Sequence, residues 1–382
     1  HYPLRRQRQM CIRDRERIMN VARRCIEDYE KGNDVVVVLS AMGKTTDGLL
    51  EKAREITETP SKRELDMLLV TGEQVSVALM AMAFQSLGVQ AVSLNAAQVA
   101  MRTTSAYGQA KLKRIDTERI RNELDARKIV VITGFQGINK YDDMTTLGRG
   151  GSDTTAVALA VALHADFCEI YTDVDGVYTA DPRIVPNARK LSEVSYDEML
   201  EFASLGAKVL HNRSVEMAKR YGVKLVVLSS LTRAEGTIIK EKTSMEKMLV
   251  SGVAADKNTA RISVLGVKDE PGIAFRLFNL LARYRINVDI IIQSVGRDNR
   301  KDISFTVART DLQETMKIIN DHLEMLTADS VSADDTVAKI SIIGAGMTSN
   351  PGVAAKMFEA LSGANINIKM IATSEIRITV LI

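Results

Sequence analysis

The chain has 382 residues, of which 46% are hydrophobic and 26% are charged. Because a single core seldom grows beyond roughly 300 residues, two or three domains are expected. No run approaches the roughly 20 apolar residues of a membrane span, which excludes a membrane protein. Nucleic-acid binders usually interleave aromatic and basic residues, so the absence of tryptophan and an aromatic content of 4% argue against that class.

The three cysteines and four histidines are scattered singly, without the spacing of a disulfide framework or a zinc site. This pattern predicts a reducing, cytoplasmic location. The net charge of +3 is concentrated in the first 15 residues, which hold five arginines and one aspartate (+4) and leave −1 for the rest. The segment has no serine, unlike a transit peptide, so we interpret residues 1–15 as an artefact of cloning, assembly or gene calling.

From residue 16 to about residue 231, short apolar runs alternate with segments of helical period. This alternation predicts an α/β domain with a mostly parallel sheet sandwiched by helices. The predicted strands are residues 35–39, 129–132, 169–171 and 224–228. The predicted helices are residues 16–29, 62–85, 154–164 and 195–221. The polar stretch at 232–247 predicts a boundary or a hairpin that leads out of the domain.

A loop of sequence SAMGKTTD at residues 40–47 follows the first predicted strand. Its Gly-Lys-Thr invites a P-loop interpretation, but a Walker A motif needs a glycine five residues before Gly43, where the chain has Val38. What remains is a hydroxyl-rich loop, with Ser40 and Thr46, at the carboxyl end of a strand. Open α/β sheets bind their ligands at that edge.

The most informative segment is TTLGRGGSDTT at residues 145–155, directly before an alanine-rich helix. Its glycines allow close backbone approach, the helix start offers N–H donors, and Arg149 can hold a carboxylate through two hydrogen bonds. These features predict an anion-binding loop. We expect Asp153 to meet an ammonium group or to orient a lysine or a magnesium ion; the alternative is a simple Asp N-cap.

Three further signals are weaker. Glu73, after Gly72 in a helical pattern, can bind a substrate ammonium group or be a solvated helix residue. Residues 171–183 (YTDVDGVYTADPR) leave a strand and form either a nucleotide pocket or a structural hairpin. Lys208 can contact a phosphate, although taken alone it suggests a surface lysine.

The C-terminal part contains an internal repeat, in which RISVLG at residues 261–266 matches KISIIG at residues 339–344. Each copy reads strand, Pro-Gly turn, amphipathic helix, strand and strand. A Pro-Gly turn before a helix leaves N–H groups that suit a small carboxylate ligand. The repeat therefore predicts amino-acid sensing, with structural duplication as the alternative.

These segments, in this order, resemble the aspartate kinases of the amino-acid kinase superfamily followed by paired ACT domains. The resemblance implies a catalytic domain at 16–247 that lacks its first strand. It also implies two ferredoxin-like (βαββαβ) ACT domains, at 248–328 and, truncated, at 329–382. The implied reaction converts ATP and L-aspartate to ADP and 4-phospho-L-aspartate, the first step towards lysine, threonine and methionine through diaminopimelate. Lysine, threonine or both would inhibit it.

The resemblance also assigns residues to sites. Arg149 and Asp153 would be catalytic, and aspartate would be bound by Ser40, Thr46, Glu73, Arg149, Gly150, Gly151 and Ser152. The cofactors would be ATP and Mg²⁺, with no protein ligand assigned to the metal. ATP would be surrounded by Thr172, Asp173, Tyr178, Thr179, Ala180, Asp181, Pro182, Arg183 and Lys208. Effectors would be bound by Asp269, Gly272, Ala274, Asn287, Gln293, Ser349, Gly352, Asn365, Ser374 and Glu375.

The implied chemistry needs no general base, because an aspartate carboxylate with a pKa near 3.9 is already ionised at pH 7. Catalysis would rest on cations, loop N–H groups and in-line positioning. One departure is serious: the family opens with a strand ending in Lys-Phe-Gly-Gly, which residues 1–15 do not match. We therefore predict severely weakened turnover and unpaired backbone groups beside the missing strand. Asn212 replaces the proline of a common His-Pro-Arg motif, with little expected effect.

Two alternatives stay open: a related kinase that acts on acetylglutamate, glutamate or a nucleotide, and, from another functional class, a non-catalytic ACT subunit that senses amino acids. Because ACT domains expose sheet edges, we expect a homodimer or larger oligomer, with or without a separate ACT-only small subunit. Neither a nucleic acid nor a membrane is expected as a partner.

Overall fold

The structure is a computed structural model that describes the backbone of residues 7–8 and residues 15–205, 209–241, 249–294, 296, 299–347 and 350–382. The chain divides into two compact units, His1–Glu246 and Lys247–Ile382.

The first unit is an α/β domain. Its strands are β1 (Gln7–Arg8), β2 (Val36–Leu39), β3 (Ala91–Leu94), β4 (Arg102–Thr103), β5 (Leu112–Arg114), β6 (Ile129–Thr133), β7 (Gln136–Ile138), β8 (Met144–Thr146), β9 (Cys168–Thr172), β10 (Glu193–Ser195), β11 (Leu225–Ser229) and β12 (Thr237–Lys240). Its helices are α1 (Arg15–Glu30), α2 (Thr45–Ile56), α3 (Lys62–Leu69), α4 (Thr71–Ser86), α5 (Glu118–Asp125), α6 (Gly151–Leu163), α7 (Tyr196–Ser204) and α8 (Asn212–Tyr221).

An eight-stranded sheet forms the centre of this unit, in the order β10-β12-β11-β9-β1-β2-β6-β3. All neighbours pair in parallel except β11 and β12, which are antiparallel and form the hairpin predicted after residue 231. Every residue of β2 and β6 is buried, as expected for strands covered on both faces. A second sheet has the order β5-β4-β7-β8. The predicted mostly parallel α/β fold is confirmed.

Helices cover both faces of the large sheet. α1 and α4 pack on one face, where Met80 and Phe84 meet Val37 and Val131. α6 contacts β1, β2 and β9 and is buried along nearly its whole length. Residues 62–86 are long and apolar enough to span a membrane, but 56% of the most apolar window is buried in the unit, which is also typical of a core helix.

The central position of the sheet is filled by β1, which lies between β2 and β9 and pairs in parallel with both. The prediction of a sheet without its central strand is therefore wrong. Two residues of the Arg-rich segment take that position, because ladder pairing needs backbone N–H and C=O groups rather than a particular sequence.

Two predicted helices are each divided. The run at 62–85 is split at Val70, whose backbone stays near helical (φ −61°, ψ −16°). The run at 195–221 forms α7 and α8. Because helical periodicity continues across both junctions, it did not reveal either break.

The second unit contains the repeat. Its strands are β13 (Gly252–Asp256), β14 (Ala260–Lys268), β15 (Ile291–Gln293), β16 (Arg300–Val307), β17 (Ser330–Asp334), β18 (Lys339–Ile343), β19 (Met370–Thr373) and β20 (Arg377–Leu381). Its helices are α9 (Ile273–Arg283), α10 (Leu312–Asn320) and α11 (Val353–Gly363), with a 3₁₀ turn at Arg309–Asp311.

The repeat forms two four-stranded antiparallel sheets, ordered β15-β16-β14-β17 and β13-β18-β20-β19. The equivalent helices α9 and α11 begin after Gly272 and Gly352, at φ +90° and +92°. The expected boundary between 328 and 329 is wrong: β17 completes the first sheet, and β13, which precedes the first copy, completes the second. In the first sheet β17 pairs with the outer side of β14. Among the described residues the second copy supplies no such strand for β18, and β13 takes that position.

Candidate active site

The candidate site lies at the carboxyl edge of the large sheet, where β2, β6 and β9 end. The backbone N–H of Gly134, after β6, donates to the carbonyl of Leu39 at the end of β2 (2.9 Å). A Cβ atom on Gly134 would lie 2.6 Å from Oγ of Ser152. The start of α6 is thus pressed against the ends of two central strands, as expected of a ligand-binding edge.

Glu73, in the first turn of α4, closes this site from one side. Its Oε1 accepts a hydrogen bond from the N–H of Ala41 (3.0 Å), in the loop after β2. The residue is 3% exposed, and its buried Oε2 has no hydrogen-bond partner among the residues that the structure describes. Burial raises the pKa of Glu73 to about 7. The solvated interpretation is therefore wrong, and an ammonium group would supply the missing partner of Oε2.

Two further buried acceptors at this edge of the sheet were missed in the sequence. Thr133 ends β6 on the face that packs against α4, and its buried Oγ1 has no hydrogen-bond partner within the part of the chain that the structure describes. Gln136 donates from Nε2 to the carbonyl of Val70, just before α4, while its Oε1 has no partner among those same residues. The only sequence signal was that two polar residues, Thr133 and Gln136, come within four residues of the apolar run at 129–132.

The glycine-rich loop enters α6 through a left-handed turn. Gly148 and Gly150 have φ of +77° and +65°, and Gly150 is the N-cap of α6. The Asp N-cap interpretation is therefore wrong, since Asp153 is the third residue of the helix. Asp153 is 4% exposed. Burial is the main cause of the raised pKa of the neighbouring Cys168 thiol, and the negative charge of Asp153 raises that pKa further. The side chain of Arg149 is exposed at the loop's tip.

The remaining predicted aspartate ligands lie around these groups. Ser40 follows β2 directly and is half-buried. Thr46 lies in the first turn of α2, also half-buried. Gly151 is packed so closely that a Cβ atom would lie 2.9 Å from the ring of Phe135. The structure thus brings the predicted aspartate residues to one edge of the sheet.

The segment predicted to bind ATP leaves β9 at Thr172. The hydroxyl of Tyr178 donates to Oδ1 of Asp175 (2.7 Å), and Lys190 reaches Oδ2 of the same carboxylate (3.2 Å). These partners lower the pKa of Asp175, the tyrosine hydrogen bond having the largest effect. Lys190, which the sequence did not single out, also donates to the carbonyl of Glu235 (2.6 Å). A hydrogen-bonded turn therefore projects from the sheet edge.

The outer part of this turn is exposed. Arg183 pairs with Asp181 through two hydrogen bonds (2.9 and 2.7 Å) while its side chain is 85% exposed. Thr179 donates its N–H to the carbonyl of Arg189 (2.9 Å). Ala180 is half-buried, while Asp173 and Pro182 are exposed. Lys208 lies outside the described residues.

No group of three or more His, Cys, Asp or Glu side chains among the described residues is placed to hold a metal ion.

The predicted effector residues are distributed over both copies of the repeat. In the first copy Asp269 pairs with Lys301 (2.8 Å), and Gly272 and Ala274 form the start of α9. Asn287 follows α9, and Gln293 ends β15. In the second copy Gly352 lies at the start of α11, Asn365 has φ +55°, and Ser374 and Glu375 lie between β19 and β20. Ser349 lies outside the described residues.

Comparison with known proteins finds relatives that cover nearly the whole chain. Residues 10–229 match the amino acid kinase family, and residues 260–324 and 340–382 each match an ACT domain. The aspartokinase of Bacillus sp. (strain MGA3) is 51% identical over 368 residues, covering 96% of this chain and 90% of the relative. The aspartokinase of Helicobacter pylori (strain J99) is also 51% identical, over 96% of this chain and 91% of its own.

Solved structures agree. The crystal structure of E. coli aspartokinase III in complex with aspartate and ADP has a TM-score of 0.84 at 25% identity, covering 99% of this chain and 96% of that one. The aspartate kinase from Synechocystis is 43% identical with a TM-score of 0.59, covering all of this chain and 67% of that one. The chain belongs to the amino acid kinase family and, within that family, to the aspartokinases.

Proposed function

We propose that the first unit transfers the γ-phosphate of ATP to the side-chain carboxylate of L-aspartate, giving ADP and 4-phospho-L-aspartate. The observation that carries this proposal is the buried Glu73, whose Oε2 has no hydrogen-bond partner among the described residues, at the same sheet edge as the glycine-rich loop that carries Arg149. An amino acid with a second carboxylate matches both features: its ammonium group pairs with Glu73, and Arg149 holds a carboxylate.

The geometry supports a mechanism based on positioning and electrostatics. A bound ammonium group would hold Glu73 in its ionised form, because an adjacent positive charge lowers a carboxyl pKa. The N–H groups at the start of α6 face the same edge and can stabilise negative charge on the substrate. Mg²⁺ supplies charge neutralisation of the triphosphate when it is bound. The turn with Tyr178 and Lys190, which leaves the carboxyl end of β9, is proposed to hold the nucleotide.

The second unit is proposed to sense lysine, threonine or both. Gly272 and Gly352 share one left-handed conformation before a helix start, which leaves N–H groups available for a carboxylate in both copies. We further propose that the chain works in the cytoplasm, as a homodimer or larger oligomer formed through its ACT sheets, with or without an ACT-only subunit.

An aspartyl-hydroxamate assay with ATP and Mg²⁺, with and without lysine and threonine, tests the proposal in two versions of the chain. One is the chain as it stands. The other replaces residues 1–15 by a family-like strand ending in Lys-Phe-Gly-Gly. We expect severely weakened turnover in the first version and strong turnover in the second, because β1 supplies backbone pairing but not the phosphate-binding lysine.

Equal, strong turnover in both versions would contradict the weak activity predicted for the chain with residues 1–15 as they stand. If neither version turns over although circular dichroism shows both folded, the kinase proposal fails. A Glu73→Gln variant of the active version is expected to lose aspartate affinity while its KM for ATP stays within about twofold.

A further inference from the structure

The glycine-rich loop is joined to a neighbouring segment, residues 108–110, that the mechanism does not use. The N–H of Ala110 donates to the carbonyl of Thr146 (2.9 Å). A Cβ atom on Gly148 would lie 3.0 Å from the carbonyl oxygen of Gly108. The two segments therefore lie side by side just before the tip that carries Arg149.

Asp66 of α3 connects these two segments from one side. Its Oδ2 accepts from the N–H of Gly108 and from the N–H of Thr146 (2.9 Å each), and its Oδ1 accepts from Oγ1 of Thr146 (2.7 Å). The carboxylate is 1% exposed. Burial raises the pKa of Asp66, its three hydrogen bonds offset part of that effect, and two of them fix backbone groups.

Arg213 of α8 connects the same two segments through their carbonyls. Nη1 donates to the carbonyl of Leu147 (2.7 Å) and Nη2 to the carbonyl of Ala110 (3.2 Å). A guanidinium group can serve two acceptors at once because its donors form a rigid planar fork, whereas a lysine ammonium on a flexible chain is a single point charge.

The same end of α8 also packs against the loop. His211, the N-cap of α8, lies where a side chain on Gly150 would be: a Cβ atom there would be 2.2 Å from Cβ of His211. Arg213 thus holds the residue before Gly148, and His211 covers the residue after Arg149. The backbone of the loop is fixed on both sides of its exposed arginine.

We infer that Arg213 is a positioning residue for aspartate, which fixes the backbone beneath Arg149 by bridging the carbonyls of Leu147 and Ala110. The inference rests on the proposed function for its substrate. It assigns Arg213 no contact with substrate or nucleotide. Loss of the bridge should therefore free the loop and weaken aspartate binding more than ATP binding, since small displacements of positioning groups carry large costs.

The test compares Arg213→Met and Arg213→Lys in the full chain, with Arg220→Met as the matched control. Arg220 lies on the same helix, exposed, against the ring of Tyr221. Hydrogen exchange of the backbone amides of residues 144–153 measures the protection of the loop directly and does not require catalytic activity. Calorimetric titration of aspartate in the presence of Mg·ADP gives its Kd, and the active version gives KM for both substrates.

We expect Arg213→Met to speed exchange of the loop at least about fivefold and to raise the Kd and KM of aspartate about 10- to 100-fold. The KM of ATP should change less than about threefold. Arg213→Lys should lie between Arg213→Met and the parent, because one of the two carbonyls keeps a donor, and Arg220→Met should match the parent.

Unchanged loop exchange in Arg213→Met overturns the inference. So does faster exchange with parental aspartate affinity, or an equal loss for both substrates in Arg213→Met and Arg213→Lys, which is the result of a merely structural role. A parent that binds no aspartate would instead refute the proposed function, while the exchange data would still decide whether Arg213 fixes the loop.

Discussion

At the scale of single residues, Glu73 gives the clearest dependence on pH. Its carboxyl group is buried, which raises the pKa from 4.5 to about 7 in the folded chain. Between these two values the folded state holds a proton that the unfolded state has released. The free energy of unfolding therefore falls as pH rises from about 4.5 to 7, by about 3 kcal/mol in total.

A Glu73→Gln variant should lack this loss, because its amide does not ionise. We expect the melting temperature of the variant, relative to the parent, to rise by roughly 6 to 12 °C between pH 5 and pH 8 in the absence of substrate. Differential scanning fluorimetry at the two pH values measures this. Glu51→Gln, at an exposed position of α2, is the control and should follow the parent. A parallel shift in both variants would contradict the buried-carboxyl explanation.

The sequence identified Glu73 through the adjacent glycine, but not the reason for its burial. The carboxylate is enclosed because it meets the N–H of Ala41, in a loop that precedes it by 32 residues. Thr133 and Gln136 escaped notice for a related reason: polar residues after a strand are common, and only the fold shows that these two bury an oxygen without a hydrogen-bond partner among the described residues. A local sequence pattern identifies the type of residue, whereas the fold determines which groups that residue contacts.

At the scale of elements, the turn into α6 gives a prediction with an internal control. Gly150 and Gly222 have nearly equal φ, +65° and +68°, but a Cβ atom meets His211 at the first position and nothing within 4 Å at the second. Gly222→Ala therefore costs only the left-handed conformation, about 1 kcal/mol. Gly150→Ala should cost about 1–3 kcal/mol more, because His211 must move.

Urea unfolding followed by circular dichroism compares the two alanine variants. The excess cost of Gly150→Ala should largely disappear against a His211→Gly background, since glycine also lacks the Cβ atom that lies 2.2 Å from the added methyl group. Equal costs in the two variants, or an excess that persists without the histidine, would show that the close approach of α8 to the loop is not what restricts this position.

The central strands of the large sheet were predictable from their own sequences. β2 and β6 are runs made mostly of β-branched residues, and because both of their faces are buried, apolar and polar residues do not alternate along them. The strands of the second sheet of the first unit have only two or three residues, too few for a period to be read. The break at Val70 was invisible because its backbone remains helical.

At the scale of the whole molecule, the sequence revealed the repeat but not how its strands are shared. The copies resemble each other residue by residue, so duplication was plain. The pairing of β13 with β18 joins segments more than 80 residues apart, and that of β17 with β14 closes the first copy between them. No local pattern states which of two similar sheets a strand will join, and the boundary at 328 was misplaced for that reason.

Lys339, the first residue of β18, lies where segments from the two copies of the repeat meet. Its side chain is 8% exposed and its Nζ lies 2.6 Å from Asp289 of the first copy and 3.4 Å from Asp256 of β13. Beside it an apolar cluster joins Ile290 of the first copy to Leu381 of the second. One ammonium group thus binds the carboxylates of two segments that the chain brings together from far apart.

Lys339→Met should therefore destabilise the second unit by about 1–3 kcal/mol, because it leaves two neighbouring carboxylates without their cation. Lys369→Met is the matched control: that lysine pairs with Asp334 at 2.8 Å but is 31% exposed, so its loss should cost less than about 1 kcal/mol. Urea unfolding of the full chain, monitored by the susceptibility of the second unit to proteolysis, measures the loss of stability in each lysine variant. Restoration of stability by adding Asp289→Asn to Lys339→Met would confirm that the cost is carboxylate repulsion. Equal effects of the two lysine variants would mean that apolar packing at Ile290 and Leu381, rather than this ion pair, holds the interleaved copies together.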